Sequence, residues 1–148
     1  MDEVLSLISE ETICLKAEVK TWQQAITVGG KLLLKNDFIE EGYIQAMIDN
    51  MLKNGPYFVL TPGVAMPHAD SQSGVKKMSI SLVTLANPIN FLESPNNPVQ
   101  LVICLAASSN ESHLDLLKKV SQLLSNPEDI QKIINANRIE EVLQVFNP

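Results

Sequence analysis

The sequence is poor in the residues that bind metals or nucleic acids. Its 148 residues include only two cysteines and two histidines, and basic residues never occur in runs longer than two. Cys14 and Cys104 stand in apolar surroundings, without CxxC spacing or basic neighbours, so both are expected to be inert core thiols. Two histidines with no third clustered ligand predict no metal site. The formal charge of −6 disfavours nucleic acids and anionic membranes and suits a basic protein partner.

Long apolar runs are also absent. No stretch approaches the ~20 apolar residues that span a bilayer, and the N-terminus is acidic where a secretory signal is basic. We therefore expect a cytoplasmic protein. The length and the hydrophobic share of 45% predict a globular chain with one domain spanning residues 1–148.

Hydrophobic periodicity and turn residues predict alternating helices and strands. Helices are expected at about 4–9, 22–35, 40–54, 111–125, 127–135 and 138–146. Strands are expected within 12–19 and at 57–60, 78–85 and 99–105. This uneven alternation favours an α/β fold, with a mixed β-sheet sandwiched by helices on both faces.

Three features refine this prediction. Helix caps are expected at Thr21, Asn126 and Asn137. Serines alternate with apolar residues from Met78 to Leu82, which predicts a strand with one less buried face. The nearly continuous apolar run 99–105 is typical of a central strand covered on both faces.

One loop, residues 61–70, looks built to present a reactive side chain. Pro62 and Pro67 each fix φ at about −65°, and Gly63 can take backbone angles closed to other residues. Near the end of this stiff loop stands His68, whose imidazole, at an unperturbed pKa of about 6.5, would be mostly neutral and nucleophilic. We expect this side chain to be exposed and to contribute little to stability. The residues alone leave open a loop histidine without chemistry.

The same loop resembles the phosphorylation loop of a known family. The stretch Gly63-x-Ala65-x-Pro67-His68 is similar to that of the mannitol/fructose-type IIA domains of the bacterial phosphoenolpyruvate-dependent sugar phosphotransferase system (PTS), where the histidine after proline carries the phosphoryl group. The ascorbate-specific branch is similar to this chain at residues 21–25, 55–59, 74–77 and 81–85. The resemblance runs from about residue 6 to residue 146 and implies a type-2 IIA fold.

The resemblance implies a phosphoryl relay between proteins. The histidine would accept the group from the phosphocarrier protein HPr and donate it to a cysteine on a IIB protein, which phosphorylates L-ascorbate or a related substrate as a membrane IIC protein imports it. No bound cofactor is implied. The surrounding residues would shape the loop, and its apolar members Val64, Ala65 and Met66 would form a docking surface. The residues expected to shape the loop or to contact a partner are Thr61, Gly63, Val64, Ala65, Met66 and Pro67.

His113 is the second candidate site residue. It precedes apolar residues at helical spacing, in the first turn of the helix expected at 111–125, where unpaired backbone N–H groups favour an anion. In the family a second histidine at the matching position lies beside the phosphorylated one, which implies a role in stabilising the phosphate. The alternative is a partly buried histidine bonded to a nearby carbonyl.

Two positions depart from the family pattern. Many mannitol-type members resemble each other in an arginine at the position that matches Asn50 here, so this chain lacks a guanidinium that could clamp phosphate. Asp70 stands where ascorbate-type sequences often have arginine, and we expect its carboxylate to face solvent.

Two rival functions stay open: a regulatory phosphohistidine module of the same fold that feeds no transporter, and a hydrolase that uses both histidines.

Overall fold

The sheet of this protein is mixed. The computed structural model describes residues 3–56 and 58–148, in which four strands lie in the order β1, β3, β4, β2. These are β1 (Ile13–Ala17), β2 (Val64–Ala65), β3 (Ser79–Ile89) and β4 (Val99–Ala106). The central pair β3 and β4 is antiparallel, whereas β1 pairs with β3, and β2 with β4, in parallel.

Helices cover both faces of this sheet, as the sequence predicts. They are α1 (Glu3–Ser6), α2 (Trp22–Lys35), α3 (Glu41–Asn54), α4 (Asn110–Leu123), α5 (Pro127–Asn135) and α6 (Ile139–Phe146). One apolar core lies between the sheet and α2 and α3, and the other lies between the sheet and α4, α5 and α6. None of these helices in the described residues is long and apolar enough to cross a membrane.

Two of the three predicted helix caps are confirmed. Thr21 accepts a hydrogen bond from the backbone of Gln24, and Asn126 accepts one from Glu128. The predicted cap at Asn137 is wrong, because α6 begins one residue later, after Arg138. There the carboxylate of Glu141 accepts the backbone N–H of both Asn137 and Arg138, so the acid supplies the capping interaction from inside the helix.

The predicted strand at 57–60 is also wrong. Residues 58–60 form a turn and irregular chain, and Tyr57 lies outside the described residues. The second strand lies instead inside the loop, because Gly63 turns the chain at φ 81° and its carbonyl accepts the N–H groups of Gln100 and Leu101. This turn brings the next two residues alongside β4.

Strand β3 is longer and more deeply buried than predicted. It extends to Ile89, and its serines are as buried as its apolar residues. For Ser81 the reason is the close approach of α2, since a Cβ added at Gly29 would lie 3.0 Å from the hydroxyl of Ser81 and 2.6 Å from Sγ of Cys104. The small side chain of Ser81 therefore makes room for a helix rather than facing water.

The two cysteines have the raised pKa values of unreactive thiols. Burial raises the pKa of Cys104 to about 12, against the lowering effect of the Ser81 hydroxyl, and burial also raises that of Cys14. Cys104 is fully buried and Cys14 half-buried. Neither thiol has the environment that favours a thiolate.

Candidate functional site

The loop that carries His68 is fastened to the end of the sheet. The N–H of Met66 donates to the carbonyl of Phe58 at 2.9 Å, and the N–H of Leu105, near the end of β4, donates to the carbonyl of Pro67 at 2.9 Å. Val64 and Ala65 are paired with β4 directly. The backbone immediately before His68 is therefore held by hydrogen bonds as well as by the ring of Pro67.

His68 itself is buried, which corrects the expectation of an exposed side chain. Only 7% of the residue is exposed, and the ring packs 5.7 Å from the ring of Phe58, measured between centroids. Its Nδ1 lies 2.7 Å from the carbonyl oxygen of Met66. Because a carbonyl only accepts, Nδ1 must carry the hydrogen, and the lone pair of the neutral ring then belongs to Nε2.

The pKa of His68 is strongly perturbed, contrary to the sequence-based expectation. Burial lowers the pKa from 6.5 to about 4, the hydrogen bond to Met66 opposes this shift, and the nearby His113 adds to it. The imidazole is therefore neutral throughout the physiological range. A neutral ring is the form that can attack phosphorus, so this environment keeps the side chain in its nucleophilic state.

This pKa predicts a pH-dependent stability. His68 takes up a proton near pH 6.5 in the unfolded chain and near pH 4 in the folded one. The free energy of unfolding should therefore be fully maintained above about pH 6.5 and fall as the pH drops towards 4, by at most about 1.4 kcal/mol per pH unit from this group. Urea unfolding of the wild type and His68→Gln across this range measures it, and the variant is expected to have the shallower slope. Equal slopes would contradict the assignment.

The second histidine lies against the first. His113 is the fourth residue of α4, and its ring centroid is 4.3 Å from that of His68, with the planes at 54°. The N-terminus of this helix is capped by Ser109 and Ser112, which bond to each other's backbone N–H groups. Burial lowers the pKa of His113 as well, so two neutral imidazoles stand side by side at one end of the sheet.

The structure gives Asn50 a specific partner and leaves Asp70 outside the site. Asn50, on α3, donates from Nδ2 to the carbonyl oxygen of His68 at 2.8 Å. Asp70 is exposed, as the sequence predicts, and its carboxylate accepts the backbone N–H of Gln72. The carboxylate is therefore engaged in a turn rather than directed at the histidines.

The apolar loop residues proposed for docking are core residues instead. Val64 and Ala65 are fully buried and Met66 is 1% exposed, because the first two form a strand and all three side chains pack into the cores on the two faces of the sheet. They cannot contact a partner in this conformation. Thr61, which is half-buried, accepts the backbone N–H of Val64 through its carbonyl and so shapes the turn.

Two contacts of the loop are not evident from the sequence. Phe58 stands against the ring of His68, and the hydroxyl of Tyr43 accepts the N–H of Ala69 at 3.0 Å. Tyr43 fits the apolar stripe of α3 and so looks like a simple core residue. The one available signal is chemical, since a buried tyrosine hydroxyl needs hydrogen-bond partners.

Comparison with known proteins agrees with this architecture. The family model for the phosphoenolpyruvate-dependent sugar phosphotransferase system, EIIA 2, matches residues 6–148. The ascorbate-specific PTS system EIIA component of Escherichia coli K12 is 37% identical over 143 residues, which cover 96% of this chain and 93% of the relative.

Two solved structures extend the comparison. The mannitol-specific cryptic phosphotransferase enzyme IIA CmtB from Escherichia coli is 32% identical with a TM-score of 0.86, over 98% of both chains. The complex of IIA mannitol and phosphorylated IIB mannitol from Escherichia coli contains a chain 26% identical, with a TM-score of 0.84, over 93% of this chain and 95% of that one. The fold is thus that of the mannitol-type IIA proteins. The chain belongs to the EIIA 2 family of the phosphoenolpyruvate-dependent sugar phosphotransferase system.

Proposed function

We propose that this chain is a cytoplasmic IIA component that takes a phosphoryl group from HPr onto His68 and passes it to a cysteine of a IIB protein. Residues 1–148 would form one EIIA domain, and no bound cofactor is needed. The observation that carries the proposal is the buried neutral imidazole of His68, which lies 4.3 Å, centroid to centroid, from that of His113. Such a pair combines a nucleophile with a neighbouring hydrogen-bond donor.

The chemistry follows from the tautomer of His68. The lone pair on Nε2 attacks phosphorus of phospho-HPr, so an N–P bond forms here while the N–P bond of the donor breaks. In the second step the thiolate of the IIB cysteine attacks the same phosphorus, and Nε2 leaves as the neutral ring. His113, in the first turn of α4, supplies a hydrogen-bond donor for the phosphoryl oxygens.

The sugar-system assignment rests on the relatives. The ascorbate-specific relative supports transport and phosphorylation of L-ascorbate or a related substrate through a membrane IIC protein, and the mannitol IIA complex supports a IIB partner. Asn50 in place of a family arginine is compatible with the ascorbate branch. The substrate would bind the membrane component and need not touch this chain.

Docking is assigned to exposed apolar side chains near the loop rather than to its buried residues. Leu60 immediately precedes Thr61 and is 45% exposed, and Leu114 immediately follows His113 and is 68% exposed. Both are large apolar side chains in contact with water, which a partner could cover. The other loop residues, Gly63 and Pro67 in particular, would serve to hold the backbone in place.

The test is a reconstituted relay. The protein is incubated with phosphoenolpyruvate, enzyme I and HPr, its intact mass is measured, and peptide fragmentation locates the phosphate. A single acid-labile phosphate on His68 that passes to an ascorbate-type IIB protein is the expected result. Omitting HPr should leave the protein unmodified.

Other outcomes of the same experiment identify the rival functions. Phosphate that stays on His68 when IIB proteins are added would indicate a regulatory phosphohistidine module. Turnover of a phosphorylated substrate without either protein partner would indicate a hydrolase. No phosphate under any condition would mean that the chain shares the fold without this activity.

A further inference from the structure

Both hydrogen-bonding groups of a single peptide unit next to His68 are held by side chains of one helix. The peptide that joins His68 to Ala69 contributes the carbonyl of the first residue and the N–H of the second. Its carbonyl accepts from Nδ2 of Asn50 at 2.8 Å, and its N–H donates to the hydroxyl of Tyr43 at 3.0 Å. Both side chains come from α3.

The two side chains are themselves fixed. The hydroxyl of Tyr43 is fully buried and donates to the carbonyl of Leu105 on β4 at 2.7 Å. The side-chain oxygen Oδ1 of Asn50 accepts from Nδ2 of Asn54, one turn along the helix, at 2.5 Å. Because that bond occupies the oxygen of the Asn50 amide, it turns the nitrogen towards His68.

The peptide before His68 is held as well, by a different element. The carbonyl of Pro67 accepts from the N–H of Leu105 at 2.9 Å. Since one peptide plane on each side of the His68 Cα is hydrogen-bonded, both its φ and its ψ are determined. These two angles set the direction of the Cα–Cβ bond, and the rotamer that bonds Nδ1 to Met66 then places the imidazole.

We propose that Asn50 and Tyr43 are positioning residues for His68. They hold the peptide after it so that the ring can donate from Nδ1 to Met66 and present Nε2 towards the phosphoryl donor. A neutral side chain at position 50 acts here on the nucleophile's backbone, where an arginine would act on the phosphate. This inference rests on the proposed phosphorylation of His68.

The test compares Asn50→Leu, Tyr43→Phe and the double variant with the wild type. Each single change is expected to slow HPr-dependent phosphorylation about tenfold, because sub-ångström misplacement of a nucleophile reduces rates sharply. The double variant should be little slower than the slower single variant, since releasing either end of one peptide frees the same plane. The single-turnover rate is measured at saturating phospho-HPr.

A matched control lies on the same helix. Gln45 donates to Asp49 in an exposed i, i+4 hydrogen bond that does not reach the loop. Gln45→Leu should therefore keep the wild-type rate, and circular dichroism of all variants tests folding. If Tyr43→Phe does not fold, the half-buried Asn50→Leu decides the question alone.

A second readout does not depend on phosphoryl transfer. Nitrogen-15 NMR of the His68 ring reports which nitrogen carries the hydrogen, and Asn50→Leu should lose part of the Nδ1–H tautomer as the bond to Met66 loosens. Folded variants with wild-type rates and a wild-type tautomer would overturn the positioning role. If even the wild type is not phosphorylated, the proposed function fails, and the tautomer alone then decides whether these residues position the ring.

Discussion

Replacing His68 with alanine is expected to abolish phosphorylation and, in addition, to destabilise the protein. The first effect follows from the loss of the attacking nitrogen. The second follows from burial, since the ring is 7% exposed and packs against Phe58. Its removal leaves the carbonyl of Met66 without its ring donor.

The expected loss of stability is about 1–3 kcal/mol, the range for deleting a buried hydrogen-bonded group. Urea unfolding at pH 7 measures it, and intact mass after incubation with phosphoenolpyruvate, enzyme I and HPr measures phosphorylation. Asp70→Asn is a suitable control, because it removes an exposed charge two residues away and keeps a side chain that can cap the following turn. Phosphate on the alanine variant would show that His113 or another residue is the acceptor.

The local elements of the fold could be predicted because their signals are local. Helix α2 runs from Trp22 to Lys35 as expected, since Thr21 caps it and its apolar residues repeat at helical spacing. Helix α5 follows its asparagine cap and its proline at the first position in the same way. Strand β4 is buried on both faces, as its continuous apolar run indicates.

The loop could not be predicted in the same way, because its structure depends on distant residues. Val64 and Ala65 become a strand only through pairing with Leu101 and Val102, which lie far along the chain. Two prolines and a glycine indicate an exposed turn, so the exposure predicted for His68 is wrong. The rings of Phe58 and His113 pack against the imidazole, and no local pattern in the loop encodes either contact.

Some contacts around His68 could also be predicted before the structure was known, and others could not. The side-by-side placement of His68 and His113 was implied by the family resemblance, and the structure brings their rings together. The sequence presents Asn50 only as the absence of an arginine, whereas its side-chain amide donates to the backbone carbonyl of His68. The contact of Tyr43 with the loop could not be predicted. Sequence spacing places this side chain on the apolar face of its helix, but it does not reveal that the hydroxyl accepts the N–H of Ala69.

Replacing His113 with alanine is expected to slow phosphorylation of His68 on the order of 10²-fold, the typical loss when one preorganised donor to a developing charge is removed. Burial lowers the pKa of His113, so the ring acts as a neutral N–H dipole and not as a cation. The side chain is half-buried near the start of α4, so the free energy of unfolding should fall by no more than about 1 kcal/mol.

The variant His113→Gln separates a hydrogen-bonding role from simple packing. Glutamine keeps an N–H donor of similar reach, so it should recover part of the rate that alanine loses. Rapid-quench measurements with phospho-HPr, and then with a IIB acceptor, follow both directions. Because a donor that stabilises the transition state for arrival of the phosphoryl group also stabilises it for departure, both rates should fall together. Unchanged rates in both directions would leave His113 as a packing residue, and a fall in only one would place its effect on the docking of that partner.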